Sequence, residues 1–356
     1  MSRLEAIRSE FGDHGIDGLL IMSPYNRRYV SGFTGSAGVL LLTGTEALFI
    51  TDFRYVEQAK DQAKGFTIVQ HKAAILEEVA KQASKLKINK LGFEQSYVTY
   101  EQHQQLQAAV DSIEFVPVSG LVEGVRMIKD ESEIQLIQDA ADIADAAFKH
   151  ITTFIRPGLT EIEVSNELEF FMRKQGAQSS SFDTIVASGY RSALPHGVAS
   201  GKLIESGELV TLDYGAYYNG YCSDITRTLA VGEVNEELTT IYQTVLEAQL
   251  RGMNGIKAGI TGKQADALTR DYITEKGYGE YFGHSTGHGL GMEVHEAPGL
   301  SFKSDTILKP GMVVTVEPGI YIQGVGGTRI EDDILITTDG NRSFTSSPKE
   351  LIHVGE

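Results

Sequence analysis

A single cysteine, Cys222, stands in 356 residues. The chain therefore cannot form an internal disulfide, and it fits a reducing compartment. Basic residues are short as well. Against 48 Asp and Glu there are 31 Lys and Arg, which gives a formal net charge of −17 and a pI near 5.0. That balance argues against a broad nucleic-acid surface, because phosphates demand concentrated Lys and Arg. Long apolar runs are missing. Stretches such as residues 39–42 are far too short to span a bilayer. The N-terminus lacks a continuous apolar segment and places Glu5, Glu10 and Asp13 early, so no signal peptide is expected. There is no low-complexity tract or long linker. Together these absences predict a soluble, cytoplasmic protein with no membrane or nucleic-acid partner.

What remains is ordinary globular composition, 41% hydrophobic and 22% charged, which excludes disorder as the main state. At about 100–200 residues per domain the length predicts two domains, with three as the alternative. In the first, Leu4, Ile7 and Phe11 recur at helical spacing ahead of Gly15. Residues 18–22 and 90–93 read as short strands, 39–42 and 47–51 as a hairpin around Gly44-Thr45, and 53–64 and 74–86 as helices. The pattern pauses at 117–123. A long helix begins at Lys129, with Ile134, Ile137, Ala141, Ala144 and Phe148 on one face. This is an α/β domain over 1–125, followed by a second domain over 126–356.

The second domain contains a duplication. Ile155-Arg156-Pro157-Gly158-Leu159-Thr160 resembles Ile256-Lys257-Ala258-Gly259-Ile260-Thr261, and a helical segment ending in Gly176 or Gly277 follows each. Further on, Gly207-Glu208-Leu209-Val210-Thr211-Leu212-Asp213 resembles Gly311-Met312-Val313-Val314-Thr315-Val316-Glu317. Each half reads helix, helix, then an apolar strand that ends in a carboxylate.

Those carboxylates are the first candidates for chemistry. Asn219-Gly220 is a type I′ hairpin signal. With that turn, Tyr218 faces Tyr221, Asp213 faces Thr226, and Asp224 shares the face of Asp213. In the second half, Glu317 ends its strand, a Gly-rich turn at 324–327 follows, and Glu331 sits on the return strand. Carboxylates converging on an apolar sheet repel one another unless positive charge lies between them. Taken alone, Glu331 beside Asp332 and Asp333 reads as an exposed strand end; the four acids related by duplication do not. Histidines cluster nearby, in Gly283-His284-Ser285-Thr286-Gly287-His288-Gly289 and at His295. The His-x-x-x-His spacing lacks the Glu after the first His that zinc-protease helices require, and its glycines disfavour a helix. His196, in Leu194-Pro195-His196-Gly197, precedes the first carboxylate strand as His295 precedes the second. One imidazole with four carboxylates is a hard, oxygen-rich set suited to two divalent ions, which can activate water and polarise a carbonyl.

On these residues the chain resembles the pita-bread metallopeptidases: aminopeptidase P, Xaa-Pro dipeptidase (prolidase) and methionine aminopeptidase, with creatinase as a non-metal relative. Ser31-Gly32-Phe33-Thr34-Gly35 and Thr51-Asp52-Phe53-Arg54-Tyr55 resemble the N-terminal domain shared by aminopeptidase P, prolidase and creatinase. The resemblance implies an α/β N-terminal domain and an α+β pita-bread catalytic domain with an internal pseudo-twofold duplication. It implies that Asp213 binds one metal, that His288 and Glu317 bind the other, and that Asp224 and Glu331 bridge them. His196, His284 and His295 are then substrate-contacting, transition-state histidines, Arg329 a supporting arginine and Glu317 a proton shuttle. The cofactors expected are two divalent ions, manganese first, with cobalt or zinc as alternatives. The substrates expected are proline-containing di- or oligopeptides, and the assembly a homodimer. Xaa-Pro dipeptidase is the first reading, because Lys303 occupies the loop where dipeptidases carry a base for the substrate carboxylate. Xaa-Pro aminopeptidase and a non-catalytic peptide-binding module are the alternatives.

Overall fold

A computed structural model describes residues 2–110 and 112–355, which divide into two units, Met1–Arg126 and Met127–Glu356. The first is built on a six-stranded sheet in the order Thr67–Gln70, Ala47–Thr51, Val39–Thr43, Gly18–Ile21, Lys90–Glu94, Glu114–Val118. Val39–Thr43 runs antiparallel to both neighbours, and the other pairings are parallel. Central strands sandwiched on both faces read as continuous apolar runs, and every residue of Gly18–Ile21 and of Ala47–Thr51 is buried. The helix expected over 53–64 is shorter, Val56–Gln62. Asp52 takes the backbone N–H of Arg54 onto its carboxylate at 2.9 Å, a local bond that competes with helix formation.

The second unit is α+β, and its duplication is visible element by element. Long helices Glu131–Ile151 and Glu236–Gly255 are each followed by a 14-residue helix, Glu161–Lys174 and Gly262–Glu275. Thr160 and Thr261 form the N-caps of these two, with capping boxes closed by Glu163 and Gln264. The chain enters both through left-handed glycines, Gly158 and Gly259, at φ 89° and 90°. The first half forms a sheet in the order His353–Val354, Ile225–Val231, Glu208–Tyr214, Ile185–Ser188; the second, Glu296–Leu300, Gly287–Gly289, Val313–Val316, Asp332–Ile336, Asn341–Ser343. Each sheet packs its helices through its own apolar cluster, Ile143, Phe148, Leu168, Leu212 and Ile225 in one, Ala265, Leu300, Val314 and Ile334 in the other.

Asn219 and Gly220 both take positive φ, 48° and 95°. The expected register follows: Tyr218 opposite Tyr221 and Asp213 opposite Thr226. The ladder is not continuous. It breaks at Gly215 on one strand and Ser223-Asp224 on the other. In the second half it breaks at Glu317-Pro318 and Ile330-Glu331. A Cβ on Gly215 would lie 1.8 Å from the Ser223 carbonyl oxygen, so only glycine permits the first break. Pro318 has no N–H to continue the second. Three of the four candidate acids stand in these breaks, and Asp213 stands one residue before Tyr214, the last before Gly215.

Candidate functional site

A cleft of about 570 Å³ opens in the second unit. Asp213, Asp224, His288, Glu317 and Glu331 line it, together with His196, His284, His295 and Arg329. The two return strands meet along its floor. The Glu331 N–H donates to the Thr226 carbonyl at 3.1 Å, and the Thr226 hydroxyl donates to Glu331 Oε2 at 2.6 Å. Donor atoms of Asp224, His288 and Glu331 all lie within 4.8 Å of one another. His288 Nε2 is 3.3 Å from Glu317 Oε1 and 3.7 Å from Asp224 Oδ2. Its Nδ1 lies 3.1 Å from the Gly289 carbonyl. That contact fixes the proton on Nδ1 and leaves the Nε2 lone pair facing the acids, as a metal-ligating imidazole requires.

Burial, followed by the neighbouring acids, pushes Asp224 and Glu331 well above the usual carboxylate range. Burial also raises Glu317 to about 7, with Arg329 opposing and Asp213 adding. Asp213 Oδ1 and Asp224 Oδ1 are buried with no hydrogen-bond partner. Arg329 is the one permanently charged cation among the described residues of the cleft wall, and it is already paired with Asp213. Orphaned acceptors and crowded acids are costly unless positive charge is added. The donor set, one imidazole and four carboxylates, fits two divalent ions.

The histidines divide. His284 Nδ1 lies 2.8 Å from the Ser285 carbonyl, and its Nε2 lies 2.7 Å from Tyr321 Oη. Arg329 Nη1 donates to the same Tyr321 oxygen at 2.7 Å. The phenol proton therefore points at His284 Nε2, and the ring proton sits on Nδ1. Burial, with Arg329 beyond Tyr321, lowers His284 to about 4. His295 packs edge-on against His288, ring centroids 4.3 Å apart, and burial lowers both. His196 lies exposed at the cleft wall. Lys303 does not line the cleft: it is exposed, its Nζ 5.3 Å from the centre of the Phe302 ring.

Sequence reasoning missed four supporting residues. Tyr321 joins His284 to Arg329. Thr226 accepts from Arg329 Nε at 3.1 Å while donating to Glu331. Thr315 donates to Glu317 Oε1 at 3.0 Å and accepts the His288 N–H at 3.1 Å. Asp333 accepts the Asp224 N–H at 2.8 Å. The expected register, with Asp213 opposite Thr226, was a usable signal for Thr226; nothing local marks the others. The acidic run 331–333, which alone reads as surface, is buried throughout. Asp332 is held ionised there, against its burial, by Arg227 at 2.7 Å and Lys349 at 2.9 Å.

Residues 135–338 match the family model described as metallopeptidase family M24, and residues 3–128 match the creatinase/prolidase N-terminal domain. A solved structure described as Xaa-Pro dipeptidase from Bacillus anthracis superposes with a TM-score of 0.98 at 67% identity, covering 99% of each chain. A Pyrococcus horikoshii protein named Xaa-Pro dipeptidase is 45% identical, over 96% of this chain and 97% of its own. A structure described as X-Pro aminopeptidase from Thermotoga maritima gives a TM-score of 0.90 at 43% identity, covering 96% of this chain and 98% of its own.

Proposed function

The chain belongs to metallopeptidase family M24, and from that premise we propose that it is an Xaa-Pro dipeptidase of the prolidase type. Its second unit is the family's pita-bread catalytic domain, and its first is the creatinase/prolidase-type N-terminal domain. The observation that carries the proposal is the convergence, from both halves of a duplicated fold, of four carboxylates and His288 on one cleft, with two of their oxygens orphaned. Asp213 would hold one cation, and His288 and Glu317 the other, with Asp224 and Glu331 shared between them. Bound divalent ions supply Lewis-acid chemistry, activating water and polarising the scissile carbonyl. Manganese is the ion we propose, since carboxylate-rich sets suit it.

The chain's own groups do the rest. Glu317, at the cleft with its Oε1 3.3 Å from His288 Nε2, can take up a proton and return it to the leaving nitrogen. His295 and His196 face the cleft and can donate to the developing oxyanion. Both His284 ring nitrogens are engaged, so His284 serves, with Tyr321, to hold Arg329 against Asp213. A proline leaving group offers a ring and no amide N–H. The apolar wall of Phe182, Ile185, Pro195, Val198 and Val294 suits such a ring.

The substrates proposed are proline-containing dipeptides, the assembly a homodimer and the location cytoplasmic. No helix among the described residues is long and apolar enough to cross a membrane. Lys303 as the carboxylate-binding base is the least supported role, since it lies outside the cleft wall. The aminopeptidase reading keeps one specific support, the Thermotoga likeness. Hydrolysis of Ala-Pro with added Mn²⁺ tests the proposal, and Ala-Pro-Ala run beside it tests the aminopeptidase reading.

A further inference from the structure

Behind the cleft, the loop that carries His284 has no regular structure, and its backbone polar groups need partners from elsewhere. The partners are two side chains one turn apart on Gly262–Glu275. Asp266 is buried. Its Oδ1 accepts the Thr286 N–H at 3.0 Å and the Thr286 hydroxyl at 2.9 Å. Arg270 grips the same carboxylate with two nitrogens, at 2.6 and 2.9 Å. Its remaining donor capacity goes to the loop: Nη1 to the Phe282 carbonyl at 3.0 Å and Nη2 to the His284 carbonyl at 2.6 Å. The guanidinium also lies over the Phe282 ring, 4.3 Å from its centre. Phe282 in turn meets His284 edge-on at 5.1 Å. The loop then passes the order on, because the Thr286 carbonyl accepts the Glu317 N–H at 2.8 Å.

The duplication argues that this arrangement is more than an inherited way of tying a helix to a loop. At the 101-residue offset the first half has Ser165 and Glu169 where the second has Asp266 and Arg270. Only the half that presents His284 and His288 carries the pair. We infer that Asp266 and Arg270 form a positioning pair for the proposed peptidase site: they fix the course of residues 282–286, and through it the aim of the His284 ring and the seat of Glu317. The inference rests on the Xaa-Pro reading of the cleft. Neither residue lines the cleft. A guanidinium fork holds two carbonyls in one fixed plane, whereas the donors of an ammonium rotate on a flexible stem.

Arg270→Lys separates positioning from bulk structure, because it keeps a cation beside buried Asp266 while losing the fork. With folding checked by circular dichroism, kcat on Ala-Pro should fall about tenfold or more, since small misplacements near the chemistry are expensive. KM should stay within about threefold, because ground-state contacts are untouched. In a His284→Ala background the same change should cost clearly less kcat than in the wild type, since only the route through Thr286 to Glu317 remains. Asp266→Asn, which keeps the Thr286 acceptor but loosens the arginine, should behave like a milder Arg270→Lys and serves if that variant does not fold. A second readout needs no activity. In metal-free protein, long-range ¹H–¹⁵N spectra should show the His284 imidazole shifted or broadened by Arg270→Lys, with His14 and His353 unchanged. A wild type inactive on Ala-Pro would sink the substrate reading but leave this spectral test standing. An unmoved His284 imidazole, or equal losses with and without His284, would overturn the positioning role.

Discussion

Removing divalent ions should make stability fall as pH rises above 6.5, the reverse of what acid-stabilised ion pairs do. Burial raises Glu317 from 4.5 to about 7 and pushes Asp224, Glu331 and Asp333 well above their ordinary values. Each is protonated in the folded chain at a pH where the unfolded chain has released the proton. The folded state then binds more protons, and stability declines with pH. The contribution is complete below the unfolded value near 4.5 and is lost as pH passes the folded value. The histidines act oppositely. His284, lowered from 6.5 to about 4, and His288 and His295 beside it gain stability as pH rises, but that gain is complete once pH exceeds 6.5. Between 4.5 and 6.5 the two effects offset; above 6.5 only the acids remain. Each carboxyl still protonated in the fold then costs about 1.4 kcal/mol per pH unit. For a unit of this size that is roughly 3–6 °C per pH unit for each group. Differential scanning calorimetry of chelated protein at pH 6.5, 7.5 and 8.5 reads it directly. Added Mn²⁺ should raise Tm and flatten or invert the slope, because ligation holds the acids ionised and releases their protons. A chelated Tm that climbs across this range would refute the crowded-acid picture.

Other expectations follow from the same geometry. Asp224→Ala should abolish hydrolysis and leave far fewer than two ions per chain by elemental analysis, because Asp224 is one of the two ligands proposed to be shared by both ions. Thr226→Val removes the hydroxyl between Arg329 and Glu331; an acceptor stripped of its donor costs about 1–3 kcal/mol. Metal affinity, titrated by calorimetry, should weaken about 10–100-fold. Lys303→Ala should raise KM for Xaa-Pro by no more than several-fold at nearly constant kcat, the scale of a solvent-screened ion pair. A fall of equal size on Xaa-Pro-Yaa removes Lys303 from carboxylate recognition.

Local chemistry was readable in the sequence wherever a short segment decides its own conformation. Asn219-Gly220 set a turn, the turn set the register, and the register brought Asp213 opposite Thr226. The matched caps at Thr160 and Thr261 were likewise visible as a repeat. The ladder breaks were not. Period-two reasoning predicts an unbroken strand through Asp224 and through Glu331, whereas the chain is diverted there by the opposing half. The bond from Glu331 N–H to the Thr226 carbonyl joins residues far apart in sequence, and no local pattern announces it. Tyr321 was missed for the same reason, since it stands on the strand Gly319–Ile322 and its partner His284 lies in a loop 37 residues earlier. Asp332 and Asp333 read as surface because charged runs usually are. Their burial is tolerated because Arg227 and Lys349 meet one, and the other accepts the Asp224 N–H while its Oδ1 is left unpartnered. Lys303 shows the converse: the family resemblance implied a substrate contact, and the fold turns it outward onto Phe302.

The central claim is that this cleft cleaves the bond before a C-terminal proline with the help of bound divalent ions. Purified protein, stripped of metal and then supplied with Mn²⁺, should release free proline from Ala-Pro. It should be inactive before the addition, and should act far more weakly on Ala-Pro-Ala. Equal or faster cleavage of the tripeptide would make the enzyme an aminopeptidase. Full activity on Ala-Pro in verified metal-free protein would contradict the account at its root.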